Sequence, residues 1–177
     1  MTDPAGSRLR RSVVRVRHLV RRTVVSLRGR NPTSDEERWA LAHLSPNEQL
    51  LWRSMTPVDR AHALEVARGA ALRYGEDRRV VAAGLLHDVG KVDAALGVGG
   101  RVVATLVGPL VPDRWAPHLG RLGRYLTYPR RGAAMLAAAG SDALVVAWAA
   151  EHHQPPARWT IERGAAEALR AADDAAG

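Results

Sequence analysis

Across residues 33–177 apolar positions recur at helical spacing, and the breaks between the runs fall on residues that start or stop helices. Ser34 with Glu37, and Ser45 with Pro46 and Glu48, predict two successive helix starts. In each, a hydroxyl caps the first turn and a carboxylate three residues on reaches back to the cap. Thr56-Pro57 predicts a third helix running to about Tyr74 and stopped by Gly75. The next is expected from Asp77 to about Val89, ended by Gly90. Less regular helices are expected over 99–109 and 113–126. They are followed by Pro129–Ala139 before Gly140, Ser141–His153 before Pro155-Pro156, and Thr160–Asp174. No hairpin signal or alternating run interrupts the series. The expected fold class is therefore all-α, a compact helical bundle without an internal repeat of fixed length.

The N-terminal segment is patterned differently. Leu9, Val13, Val16, Val20, Val24 and Leu27 fall on one helical face with arginines mostly elsewhere, which predicts a basic amphipathic helix. The Val14-Arg15-Val16-Arg17 alternation would also suit a strand. Charge divides the chain at the same place. Residues 1–32 hold nine Arg against one Asp, which accounts for the whole net charge of +8. Residues 33–177 hold sixteen Arg and one Lys against seventeen acids and are neutral. The expected organisation is a basic arm over 1–32 and a helical domain over 33–177. Such an arm can dock on its own domain or a second subunit, lie on an anionic membrane surface, or bind nucleic acid.

No apolar run approaches the roughly 20 residues of a spanning helix. The best candidate, Val102–Val111, carries Gly108 and Pro109 and reads as a core helix or a subunit contact. The first 30 residues lack the central apolar stretch of a secretory signal. A cytoplasmic location, peripheral at the membrane if the arm meets lipid, is the simplest expectation. Oligomeric state is not legible.

Cysteine is absent, which excludes disulfides, thiolate zinc sites and cysteine nucleophiles. Any metal must be held by nitrogen and oxygen. Of the 26 basic residues 25 are Arg, as a GC-rich bacterial genome would encode, and the one lysine is Lys91. Periodicity turns a few polar residues inward. His62 shares a stripe with Val66 and Ala70, and His152 one with Leu144 and Trp148. Asp173 continues the stripe of Ile161, Ala165 and Leu169, whereas Asp174 points away. An inward carboxylate is costly unless a cation or strong hydrogen bonds neutralise it. The fourth place is Leu85-Leu86-His87-Asp88-Val89-Gly90-Lys91. Neighbours on a regular helix diverge by about 100°, so His87 and Asp88 can face one ion more easily where the helix is finishing.

These segments resemble the HD superfamily of metal-dependent phosphohydrolases, whose pattern is a histidine, an adjacent His-Asp pair and a distant aspartate. Arg60-Ala61-His62-Ala63-Leu64-Glu65-Val66-Ala67 looks like the segment of the first histidine. Ala82-Ala83-Gly84-Leu85-Leu86-His87-Asp88-Val89-Gly90-Lys91 looks like the His-Asp element, and Leu169-Arg170-Ala171-Ala172-Asp173 like the last. The resemblance spans about residues 56–174. A further, partial similarity is to the HD-GYP branch. Tyr128-Pro129-Arg130-Arg131-Gly132 followed by Leu136 has the shape of its His-Pro element, and Glu151-His152-His153-Gln154 that of its double histidine. Two departures stand out: Tyr128 occupies the place of a histidine, and His153-Gln154-Pro155-Pro156 lacks the following glutamate and the Gly-Tyr-Pro signature.

The resemblance implies an HD-type helical domain in which His62, His87, Asp88 and Asp173 bind one divalent ion. This mixed set suits manganese, iron, cobalt, nickel or magnesium. It implies hydrolysis of a phosphate ester, of a nucleotide or related small molecule, by a water whose pKa the metal lowers from about 15.7 toward 7. In that reading Asp88 also belongs to the catalytic set. Lys91 attracts a substrate phosphate or orients the water, and its alternative is a solvated charge at a helix end. His152 and His153 either hold a second ion or serve as donors to substrate and partners in proton transfer. Their alternative is capping of helix carbonyls. His118 is a candidate replacement for the ligand missing at Tyr128. Two other functions compete with the hydrolase: a catalytically degenerate domain that binds metal or nucleotide for regulation, and an adaptor tethered to membrane or nucleic acid through the arm.

Overall fold

In a computed structural model, residues 30–94 and 119–176 are described, and among them all regular structure is helical. The elements are α1 (Ser34–Ala42), α2 (Pro46–Ser54), α3 (Pro57–Tyr74), α4 (Arg78–Leu86), a 3₁₀ segment (Val89–Ala94), α5 (Gly120–Leu126), α6 (Tyr128–Ala138), α7 (Ala143–Glu151), a short 3₁₀ turn (Pro156–Arg158) and α8 (Arg163–Ala176). The all-α expectation holds for these residues. The arm helix, the 99–109 helix, the Val102–Val111 run and His118 lie outside them. No described helix is long and apolar enough to cross a membrane.

Side-chain caps set the starts, as the sequence predicts for Ser45, Thr56 and Asp77, whose oxygens accept from Glu48, Asp59 and Arg79 backbone N–H groups. The first cap is shifted by one residue. Thr33, not Ser34, caps α1, and the boxed carboxylate is Glu36, not Glu37. Both pairs satisfy the same spacing, and tertiary partners decide between them. Glu36 accepts from Arg30 at 2.5 and 2.7 Å and from Arg68 of α3 at 2.9 Å. Glu37 instead accepts from the Trp52 indole at 2.7 Å and pairs with Arg60.

The Arg30 guanidinium on Glu36 has a consequence for stability. The hydrogen bond from Arg30, and then that from the Thr33 backbone, pull the Glu36 pKa from 4.5 down to about 2. A depressed folded-state pKa stabilises the fold above the unfolded value, and that stability is lost as pH falls from about 4.5 to 2. Arg30 and Arg68 are nearly half exposed, so solvent screening reduces the effect to about 1–2 kcal/mol. Glu36→Gln is therefore expected to be less stable than wild type at pH 6 and to approach it at pH 2.5. Thermal midpoints that stay equally far apart at both pH values would show that the carboxylate is not responsible.

The bundle is organised around α4. Every residue from Val80 to Leu86 is buried, so this nine-residue helix is covered on all sides. It packs on α3 and α7, α3 packs on α8, and α6 packs on α7 and on the first 3₁₀ segment. Small residues allow a close crossing of α3 and α4: a Cβ on Gly84 would lie 2.7 Å from the Ala67 Cα. Trp52, Trp148, Leu64, Leu85, Leu86, Leu136 and Leu169 fill the interior.

The ends of α4 and α7 differ from expectation. The α-helical turns of α4 stop at Leu86, His87 is its C-cap, and a 3₁₀ segment begins at Val89. Gly90 does not end a helix through a left-handed backbone, because only Gly75, Gly120 and Gly140 have positive φ among the described residues. It is small because the start of α6 presses on it. A Cβ there would lie 2.0 Å from the Tyr128 carbonyl oxygen and 2.7 Å from the Gly132 nitrogen. Similarly, α7 ends at Glu151 with His152 as its C-cap, well before Pro155. The Glu151 carboxylate accepts from the Thr160 N–H and hydroxyl, both at 2.7 Å, and ties off the loop that follows.

Candidate metal centre

Three separated stretches bring ligating groups together. His62 comes from the second turn of α3, His87 and Asp88 from the residues just past α4, and Asp173 from the last turns of α8. His62 Nε2 lies 3.2 Å from Asp173 Oδ1. His87 Nε2 lies 3.4 Å from Asp88 Oδ2 and 4.0 Å from Asp173 Oδ1. One atom each from His62, His87 and Asp88 all lie within 4.8 Å of one another, a group able to hold a metal ion.

Local structure explains the aim of these side chains. His87, at the exit of α4, donates from Nδ1 to the Gly84 carbonyl at 2.9 Å, which leaves the Nε2 lone pair for the cluster. His152, at the exit of α7, does the same: Nδ1 faces the Ala149 and Trp148 carbonyls at 3.0 and 3.3 Å, and Nε2 turns inward. Its capping and site-lining readings are thus compatible, each using one ring nitrogen. The Trp148 ring is tilted against the His152 ring, and Trp159 packs edge-on against Trp148, so this side of the site is walled by aromatic rings.

His152 Nε2 stands 3.8 Å from Asp88 Oδ1, which extends the cluster toward α7. The Tyr128 hydroxyl, from the first turn of α6, reaches His152 Nε2 at 3.2 Å and His153 Nε2 at 2.5 Å. With a proton fixed on His152 Nδ1, the phenol donates to His152 Nε2 and accepts from His153 Nε2–H. Lys91 Nζ pairs with Asp88 Oδ2 and lies 5.1 Å from the centre of the Tyr128 ring. Its side chain is only 19% exposed, so it is not a freely solvated end charge.

The electrostatics follow from burial against these partners. Burial opposes ionisation of Asp88, but Lys91 and then His87, His152 and His62 outweigh it and hold the carboxyl well below the ordinary range. Burial likewise opposes ionisation of Asp173, and the His62 hydrogen bond reverses the balance and lowers its pKa. Burial disfavours the charged His62 ring, yet its bond to Asp173 and the charge of Asp88 raise its pKa. His152 is pushed well below the ordinary histidine value by burial and by His153 and His87. Two carboxylates therefore face two imidazoles on one side, with the buried His152 ring behind them and the exposed His153 at the edge.

Imidazole nitrogen and carboxylate oxygen are donors suited to a divalent ion. Ligands about 2.1 Å from a common ion are separated by about 3.0–4.2 Å, according to the angle between them. The His62–Asp173, His87–Asp88 and His87–Asp173 separations of 3.2, 3.4 and 4.0 Å lie in that range. His62 Nδ1 is buried without a hydrogen-bond partner, so nothing on that side competes for the ring.

Comparison with known protein families, with curated proteins and with solved structures finds no match for this chain.

The candidate ligands His62, His87, Asp88 and Asp173 and the flanking Lys91, His152 and His153 lie on one contiguous network. At the start of α6, Arg130 is exposed and Arg131 half-buried. Asp174 is exposed and pairs with Arg170 at 3.1 Å, outside the cluster. Two contributors were not legible as such. Tyr128 stood out as a departure from a pattern, but nothing in the sequence places its hydroxyl between two imidazoles. Arg170 donates to the His152 carbonyl at 3.0 Å and so fastens the end of α7 to α8. Its position three residues before Asp173, on the same helical face, was the available signal.

Proposed function

We propose that this chain is a metal-dependent phosphohydrolase of HD type, acting on a phosphate ester of a nucleotide or related small molecule. One observation supports the reading: His62, His87 and Asp88 form a group able to hold a metal ion, and Asp173, from a third part of the chain, lies 3.2 Å from His62 and 4.0 Å from His87. A divalent ion held there would polarise a phosphoryl oxygen and make a water acidic enough to ionise near neutral pH.

The chain's own groups supply the rest. Lys91, the single ammonium in an arginine-rich sequence, stands at the rim beside Asp88 and offers a compact positive charge to phosphate oxygens. His152 and His153 are joined through the Tyr128 hydroxyl, so an N–H or O–H proton would be available to a departing ester oxygen.

A second reading, a module that binds metal or nucleotide without turnover, is favoured by the Tyr128 hydroxyl, which already engages both histidines. Full-length protein with Mn²⁺, assayed for phosphate release against nucleoside mono-, di- and triphosphates and cyclic dinucleotides, separates the two. Chelator-sensitive turnover of at least one ester is expected. Saturable binding with no turnover across the panel would establish the binding module instead.

A further inference from the structure

We propose that Tyr128 sets the metal stoichiometry of this centre, by closing the His152–His153 pair against a second ion. The inference rests on the metal-centre reading above and goes beyond it in naming what limits the site to one cation.

His152 and His153 form a second group of potential ligands directly behind the first. Their rings are 4.0 Å apart, and His152 Nε2 is 3.8 Å from Asp88 Oδ1, so an ion between them would share Asp88 with the first site. An imidazole binds a metal through an unshared pair on its nitrogen. Here both Nε2 atoms converge on a single phenol oxygen, at 3.2 and 2.5 Å. A phenol has one proton to give, and with His152 Nδ1 already carrying its own, the phenol donates to His152 Nε2 and accepts from His153 Nε2–H. Neither Nε2 then offers a lone pair to an ion.

The His152 ring cannot turn to present its other nitrogen, because Nδ1 is engaged with the Ala149 and Trp148 carbonyls and the ring is fully buried. Tyr128 cannot easily withdraw either. It is buried at the start of α6, and its backbone is pressed against Gly90, next to the lysine that lies over its ring. The hydroxyl is thus a fixed occupant of the place that a second cation would take.

The test counts Mn²⁺ bound per full-length chain by equilibrium dialysis for wild type, Tyr128→Phe and Tyr128→His. Tyr128→Phe removes only the hydroxyl and keeps the packed ring, and Tyr128→His adds a third imidazole in its place. Wild type is expected to bind one ion. Both variants are expected to bind two, with the second held more tightly by the histidine variant. Wild type binding two ions, or both variants remaining at one, would overturn the assignment of Tyr128 and leave the primary centre standing. No saturable binding by wild type would overturn the metal-centre reading and this inference with it.

Discussion

Asp88→Asn is expected to weaken divalent-ion binding by at least about 100-fold and to abolish metal-dependent turnover. Changes in groups that merely support a ligand typically cost 10–100-fold, and Asp88 is placed as a ligand itself. It is fully buried, 3.4 Å from His87 and 3.8 Å from His152, and it is the carboxylate on which Lys91 rests. Asparagine keeps the shape and removes the charge. The fold is expected to survive, with a loss of about 2 kcal/mol or less in chelator, because Lys91 is partly exposed and can turn toward water. Mn²⁺ titration and thermal unfolding of the same preparation check both halves. A variant that binds Mn²⁺ as wild type does would remove Asp88 from the centre.

The second large effect is structural. Gly90→Ala would place a methyl carbon 2.0 Å from the Tyr128 carbonyl oxygen and 2.9 Å from the Tyr128 carbonyl carbon. Those are backbone atoms and cannot rotate aside, so α6 must move away from the 3₁₀ segment. A destabilisation of at least about 3 kcal/mol is expected, roughly 6–12 °C in thermal midpoint for a chain of this size. Gly140→Ala is the control. Gly140 has φ of 76° but no atom within 4 Å of the added carbon, so it carries only the cost of the left-handed backbone, about 1–2 kcal/mol. Equal losses for the two variants would mean that the contact between Gly90 and α6 is not tight.

Helix starts were legible because caps are local chemistry: Ser45, Thr56 and Asp77 bond to backbone two or three residues away, and the sequence contains both partners. The start of α1 was misread by one residue because the choice between Glu36 and Glu37 is made by Arg68 and Trp52, which lie far along the chain. The end of α4 was misread for a related reason. Gly90 looks like a stop signal, whereas its smallness answers to Tyr128 and Gly132 across a helix contact that no local pattern encodes. Periodicity brought His62, His152 and Asp173 inward correctly, since a stripe shared with Val66, Trp148 or Leu169 defines a face. What it could not supply was the relation between faces on different helices, and hence the approach of His62 to Asp173 or the hydroxyl between His152 and His153.

Anomalous diffraction from crystals of the full chain grown with Mn²⁺ tests the convergence of these ligands most directly. The predicted result is one strong anomalous peak within about 2.0–2.3 Å of nitrogen from His62 and His87 and oxygen from Asp88 and Asp173. The absence of any peak among these four side chains, or a peak bound elsewhere while they keep their ion pairs, would contradict it.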